Sequence, residues 1–248
     1  MMERQDLPPA VNLRVPGQWS GLDQFLGRLP SDSQWREPWL RVEDLPPVVL
    51  DWKPADKEFA QVFEISCRRP PLLDEIDRVQ NYAHNACIQG IGGSLSAARH
   101  LLRAGGALIR AGGAGVFIDN GAISHGAADW LNLEKHCHEA LAIFYAFVNI
   151  TRSARGYTSY GMHIVGQADC FIQSNNAMDQ AEDAAALRTM EDFLRLAARE
   201  QRVWTEDEEF HDENGRRFVL RAHAHVDWLK EHNPMWNPYG RWELVDAC

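Results

Sequence analysis

The sequence predicts an α+β fold, with a mixed, mainly antiparallel sheet and helices packed on one face. Three observations lead there. Strand-like and helix-like segments alternate irregularly, with hairpin-like spacing, not as repeated βαβ units. Residues 179–200 carry a helical stripe of Ala186, Leu187, Met190, Phe193, Leu194 and Ala197. Residues 216–228 alternate instead, with Phe218, Leu220, Ala222, Ala224, Val226 and Trp228 on one side and Arg217, Arg221, His223, His225 and Asp227 on the other. At 248 residues and 45% hydrophobic composition, the chain can bury a large core without disulfide or metal.

Taken in order, residues 1–56 hold many prolines, with Trp19, Trp35, Trp39 and Trp52. Proline disfavours helix at the preceding residue, so this segment reads as an extended arm with short strands or turns, wrapped over the body by its tryptophans. The remaining residues, 57–248, read as a single domain. Residues 59–67 alternate as a strand. Pro70-Pro71 opens a helix with the stripe Leu72, Ile76, Val79, Ala83 and Ala86.

A glycine-rich unit follows, Gly90 to Asn120, holding eight of the 18 glycines. Ser94 is placed to cap a helix through Leu95, Ala98, Leu101, Leu102, Leu108 and Ile109. Gly105-Gly106 would either break it or admit a close crossing element. Gly112-Gly113 end it, and residues 115–119 form a strand before an Asn120-Gly121 turn. Ser124 is a second candidate cap, for a short helix through Leu131. Residues 140–150 are apolar on both sides and rich in aromatic and β-branched residues, which predicts a central strand. Residues 157–166 read as a helical turn, 168–173 as a strand, and 242–245 as a last strand.

The formal net charge of −10 argues against nucleic acid, whose phosphates require excess Lys and Arg. No apolar run approaches the ~18 residues of a membrane span, and the opening residues lack the apolar core of a secretory signal. The five cysteines are scattered, without C-x-x-C spacing. A cytoplasmic protein without cofactor is the expectation.

Three constellations could carry chemistry. Gly90-Ile91-Gly92-Gly93-Ser94 precedes a helix but lacks the lysine of a phosphate loop, so close packing is the better account. His223, His225 and Asp227 place three metal-ligand types on one strand face and partly resemble the H-x-H-x-D stretch of metal-dependent hydrolases, but only His232 follows as a further ligand. The bland account is an outward polar face. His136 and His138, near Glu134 and Glu139, form a second pair that reads best as hydrogen-bonded side chains.

The charge distribution is the most unusual feature. Residues 179–214 contain twelve acidic residues against four arginines. Glu206, Asp207, Glu208, Glu209, Asp212 and Glu213 cluster in one connection. They are the candidate partner-binding residues, suited to a basic protein surface and to salt-sensitive association. A solvated loop is the alternative.

Two stretches resemble a family of bacterial proteins found beside type VI secretion and polymorphic-toxin loci. They are Ala111 to Gly121 (A-G-G-A-G-V-F-I-D-N-G), with Ser124 and Trp130 following, and Tyr157 to Asp169 (Y-T-S-Y-G-M-H-I-V-G-Q-A-D). The resemblance covers roughly residues 60–175. It implies an α+β domain with ferredoxin-like features and a role as an immunity protein, and it brings no catalytic residues. The expected function is thus a cytoplasmic protein that binds and neutralises a basic toxin or effector. The alternatives are a metal-dependent hydrolase and a structural or adaptor component of a secretion system.

Overall fold

The computed structural model describes residues 8–174, 179–225 and 229–247. The α+β class holds, and the strands form two sheets. The first sheet is built from β1 (Ala10–Gly17), β2 (Gln34–Arg36), β3 (Trp39–Arg41), β4 (Val48–Pro54), β5 (His84–Ile91), β6 (Gly115–Ile118) and β7 (Ile123–Gly126). Its order is β2-β3-β4-β5-β1-β6-β7, antiparallel throughout. The second contains β8 (Asn149–Ser153), β9 (Gly156–Tyr160), β10 (Asp169–Gln173), β11 (Glu209–His211), β12 (Arg217–Ala222) and β13 (Arg241–Asp246). Its order is β11-β12-β13-β10-β9-β8, and β10–β13 is its parallel pair.

The helices are α1 (Leu22–Leu26), α2 (Phe59–Ile65), α3 (Leu73–Gln80), α4 (Leu95–Arg110), α5 (Ala127–Lys135), α6 (Ala140–Phe147) and α7 (Gln180–Glu200). A 3-10 turn spans Met162–Val165. Helices α4, α5 and α6 pack together beneath the first sheet, and α6 meets α7, which lies on β10. One apolar core therefore runs from Leu13 and Ile88 through Leu108 and Phe147 to Phe193 and Leu220. The short strand β6 is buried on both sides. Val116 and Ile118 join that main core, while Phe117 faces a smaller cluster of Phe59, Phe63, Val79 and Tyr82 from α2 and its surroundings. Helices thus cover β6 from both directions.

The segment read as an arm is instead built into the sheet. Val11, Leu13 and Val15 are fully buried, and β1 lies between β5 and β6. Trp19 is also fully buried and donates from Nε1 to the Ala111 carbonyl at 2.8 Å. Trp39 remains half exposed.

Two segments read as strands are helices. In α2 the buried residues are Phe59 and Phe63, one helical turn apart, whereas Ile65 is 77% exposed. A strand would have buried Phe63 and Ile65 together. Residues 140–147 form α6, packed among α4, α5 and α7 with Leu141 left exposed, so its apolar run reflects a largely buried helix rather than a central strand. Ser124 lies inside β7 and caps nothing; its hydroxyl donates to the Phe63 carbonyl. The first half of 157–166 is strand β9, with the helical turn confined to 162–165. Ala83 and Ala86 lie beyond α3, Ala86 in β5.

Helices α4 and α7 match their periodicity. Ser94 accepts from the Ala97 amide, and Asp179 accepts from the amides of Ala181 and Glu182 in a capping box. Gly105 and Gly106 do not break α4. They admit a close neighbour: a Cβ at Gly105 would fall 2.8 Å from the Trp130 ring, and one at Gly106 would meet the Glu134 carboxylate.

Candidate functional site

The acidic connection is a hairpin, and its charges are largely answered locally. Arginines of β12, and Arg202 ahead of β11, stand against carboxylates in and before β11. Arg221 pairs with Asp207, Arg217 with Glu209 at 3.4 Å, and Arg202 with Glu208. Glu208 also accepts from the Thr205 amide at 3.0 Å. Arg202 lies over the Trp204 ring at 3.4 Å, which fixes the near side of the turn. Bases therefore flank the acidic cluster: Arg217 and Arg221, which follow it in sequence, fold back onto it, and Arg202, which precedes it, reaches Glu208.

Asp212 is buried rather than presented to a partner. It accepts from Thr189 Oγ1 at 3.0 Å, from the Asn214 amide at 2.9 Å and from the Arg216 amide at 2.9 Å. Its work is to close the β11–β12 turn against α7. Glu206 and Glu213 are exposed, and no ion pair among the described residues involves them. On α7, Asp183 is likewise structural: hydrogen bonds from Ser174, Tyr157 and Arg152 hold its carboxyl down to about 2.

Among the described residues, His223 and His225 point to different neighbours. Strand β12 ends at Ala222. His223 contacts Glu243 through Nδ1 at 3.2 Å and stacks on Phe171 with ring centroids 4.6 Å apart. His225 is turned toward Trp236, and burial lowers its pKa, with Arg241 acting in the same direction. Asp227 lies outside the described residues. Among the described residues, no group of three or more His, Cys, Asp or Glu side chains could hold a metal ion. His136 and His138 are exposed and share Glu139, at 3.1 and 3.5 Å.

A buried polar junction, unmarked by any spacing in the sequence, joins the two sheets. Asn120, from the turn after β6, accepts from the Asn12 amide and donates to the carbonyls of Ala10 and Pro234, each at 2.9 Å. His163 Nε2 lies 3.0 Å from the Asn120 amide nitrogen. Burial lowers the His163 pKa to about 4, so the ring is neutral at pH 7. At 1% exposure it serves as a strut between elements.

Farther in, Asp169 accepts from Ser159 Oγ at 3.1 Å, the Met162 amide at 3.2 Å and Asn237 Nδ2 at 2.9 Å. Burial raises this carboxyl to about 6, against the lowering effect of those bonds and of Arg241. Arg241 stands opposite Asp169 in the parallel register of β10 and β13, wholly buried near the Tyr160 ring. Its guanidinium makes no hydrogen bond among the described residues.

Glycine allows this junction to close. Gly161 has φ +100 and Gly166 φ +81, and a Cβ at either would strike the carbonyl of Phe147 or of Gly93. Gly166 thus lets its turn approach the backbone of the glycine-rich 90–120 unit at Gly93, and a cleft of about 420 Å³ lies over Asn120 and His163. Asn12, Gln89, Glu231, His232 and Trp236 line it.

In comparisons with family models, curated proteins and solved structures, nothing matches this chain. No helix among the described residues is long and apolar enough to cross a membrane.

Proposed function

We propose that this chain is a bacterial immunity-type protein that binds a basic protein toxin or effector and neutralises it by occlusion. The observation that carries this reading is the carboxylate surplus, a net charge of −10, with Glu206 and Glu213 exposed and unpaired among the described residues. Asp207 and Glu209 supplement them. Their partners Arg221 and Arg217 are about half exposed, and such surface pairs are worth only ~0–1 kcal/mol, so a basic partner can displace them. Glu208 and Asp212 hold the hairpin that presents the others. The likeness to proteins encoded beside toxin loci supports the same reading.

The test is a partner captured from the bacterial host, purified and titrated against the protein. Co-expression should protect cells from that partner's toxicity. The variant Glu206→Lys/Glu209→Lys/Glu213→Lys should slow association at least about tenfold at low salt. An unchanged rate, or a captured partner without toxicity, would defeat the proposal.

The hydrolase alternative has less support, because His223 is engaged with Glu243 and Phe171. No observation favours the adaptor alternative over neutralisation.

A further inference from the structure

The helical pair α2–α3 has an outer face that the fold does not use. Its inward side is satisfied, with Phe59, Phe63, Val79 and Tyr82 buried together against Phe117. Four further apolar side chains within twelve residues point outward: Val62 at 41%, Ile65 at 77%, Leu72 at 56% and Leu73 at 87% exposure. Isolated exposed apolar residues are ordinary; four on two helices that pack against each other are not.

Charge is sorted across the same segment. Residues 56–80 hold six carboxylates and four basic side chains, a near balance in sequence. Folding draws two of the four bases away from the outer face. Arg68 donates to the Val148 carbonyl at 2.6 Å, and Arg78 to the carbonyls of Gly112 and Gly113 at 3.0 and 2.8 Å. Arg69 pairs with Asp129 at 3.3 Å. Of the acids only Glu75 is withdrawn, accepting from the Ala128 and Leu72 amides. Asp56, Glu58, Glu64, Asp74 and Asp77 stay exposed, against Lys57 and the Asp129-paired Arg69 as exposed bases.

Beside this face lies a cleft of about 370 Å³ lined by Asp56, Glu58, Val62, Asp119 and Met235, and by Arg14, which pairs with Asp119 at 2.8 Å. The Asp56 and Glu58 carboxylates at its apolar wall suit a long basic side chain, whose stem packs while its head is paired.

We propose that α2–α3 is a docking surface for a protein segment with an apolar ridge flanked by Lys or Arg, one of which enters the cleft. The proposal rests on reading the chain as a binding protein and places a second contact away from the β11–β12 hairpin. A second copy of this chain is disfavoured, because two such acidic rims would repel.

A 16-residue amphipathic Lys/Leu peptide serves as probe, with a Glu/Leu peptide of equal length as control, read by calorimetry and by backbone chemical shifts. The Lys/Leu peptide should bind, shift residues 56–80, and lose at least tenfold in affinity in Ile65→Ser/Leu73→Ser and in Glu58→Lys/Glu64→Lys. These positions are exposed, so thermal melts should match wild type. Equal binding of both peptides, shifts elsewhere, or unaltered affinity in the variants would overturn the proposal. So would a concentration-dependent dimer abolished by Leu73→Ser, or binding to anionic vesicles in place of peptide. With the captured toxin, loss of affinity only in the hairpin variant defeats this surface and spares the proposed function. Loss in neither defeats both.

Discussion

Asn120 and His163 meet inside the protein, amide nitrogen to Nε2 at 3.0 Å, although 43 residues separate them in sequence. The same amide holds β1 and the 234 loop through the carbonyls of Ala10 and Pro234. Asn120→Ala would leave buried backbone groups without partners. It should cost about 3 kcal/mol in urea denaturation. A loss below about 1 kcal/mol would show that Asn120 does not clasp these elements together.

His163 and Asp169 should give opposing pH dependences. His163 titrates near 6.5 when unfolded and about 4 when folded. The folded state binds that proton less readily, so its contribution is complete above pH 6.5 and is lost as pH falls toward 4. Asp169 moves from 3.8 to about 6 on folding. Its contribution is complete below pH 3.8 and is lost as pH rises through 6. Between pH 4 and 6 the two slopes oppose. Relative to wild type, the stability of His163→Gln should fall with rising pH, and that of Asp169→Asn should climb. Each difference is bounded at about 1.4 kcal/mol per pH unit. Denaturation curves at pH 4, 5, 6 and 7 test this, and profiles parallel to wild type would refute it.

The paired glycines of α4 should behave differently. Gly105→Ala forces a methyl group against the Trp130 ring, which is itself fixed by Nε1 donating to the Leu102 carbonyl. Overpacking of about 2 kcal/mol or more should outweigh the ~1 kcal/mol helix-propensity gain. At Gly106 the obstacle is the end of the flexible Glu134 side chain, which can swing away at the expense of its bond with Arg110. Gly106→Ala should therefore stay within about 0.5 kcal/mol of wild type, because the propensity gain offsets that loss. Equal thermal shifts for the two variants would contradict this account.

Within the acidic hairpin, stability and binding should separate by residue. Asp212→Ala abandons the Thr189 hydroxyl and two amides in a buried site and should cost about 3 kcal/mol. Glu206→Ala and Glu213→Ala should be neutral within about 0.5 kcal/mol. Thermal melts of the three variants would check it.

Legibility in the sequence followed burial geometry. Helices α4 and α7 each present one apolar stripe and a capping residue, so periodicity located both. Helix α6 is largely enclosed, and such a helix has no stripe to detect; eight apolar residues then look like a strand. In α2, the alternation of residues 59–67 hid Phe59 and Phe63, whose four-residue spacing alone decides the outcome. The buried alternation of Val11, Leu13 and Val15 in β1 was present but obscured by surrounding prolines. At the candidate site, the acidic run was visible, but its arginines became neighbours only through hairpin pairing. Asn120 and His163 lie in the glycine stretches already singled out, yet glycine reports backbone shape, and nothing local names a partner 43 residues away.

The placement of β1 has a consequence for how the chain reaches its folded state. Ala10–Gly17 pairs along its whole length with residues 84–91, and with β6 about a hundred positions downstream. Closing loops of that size is slow compared with forming α4 or α7. Until β1 slots in, β5 and β6 each offer an open row of amides and carbonyls in the middle of an incomplete sheet. Such a half-built sheet could accept the corresponding strand of another molecule as readily as its own, so exchange of β1 between chains is the misassembly this topology most exposes.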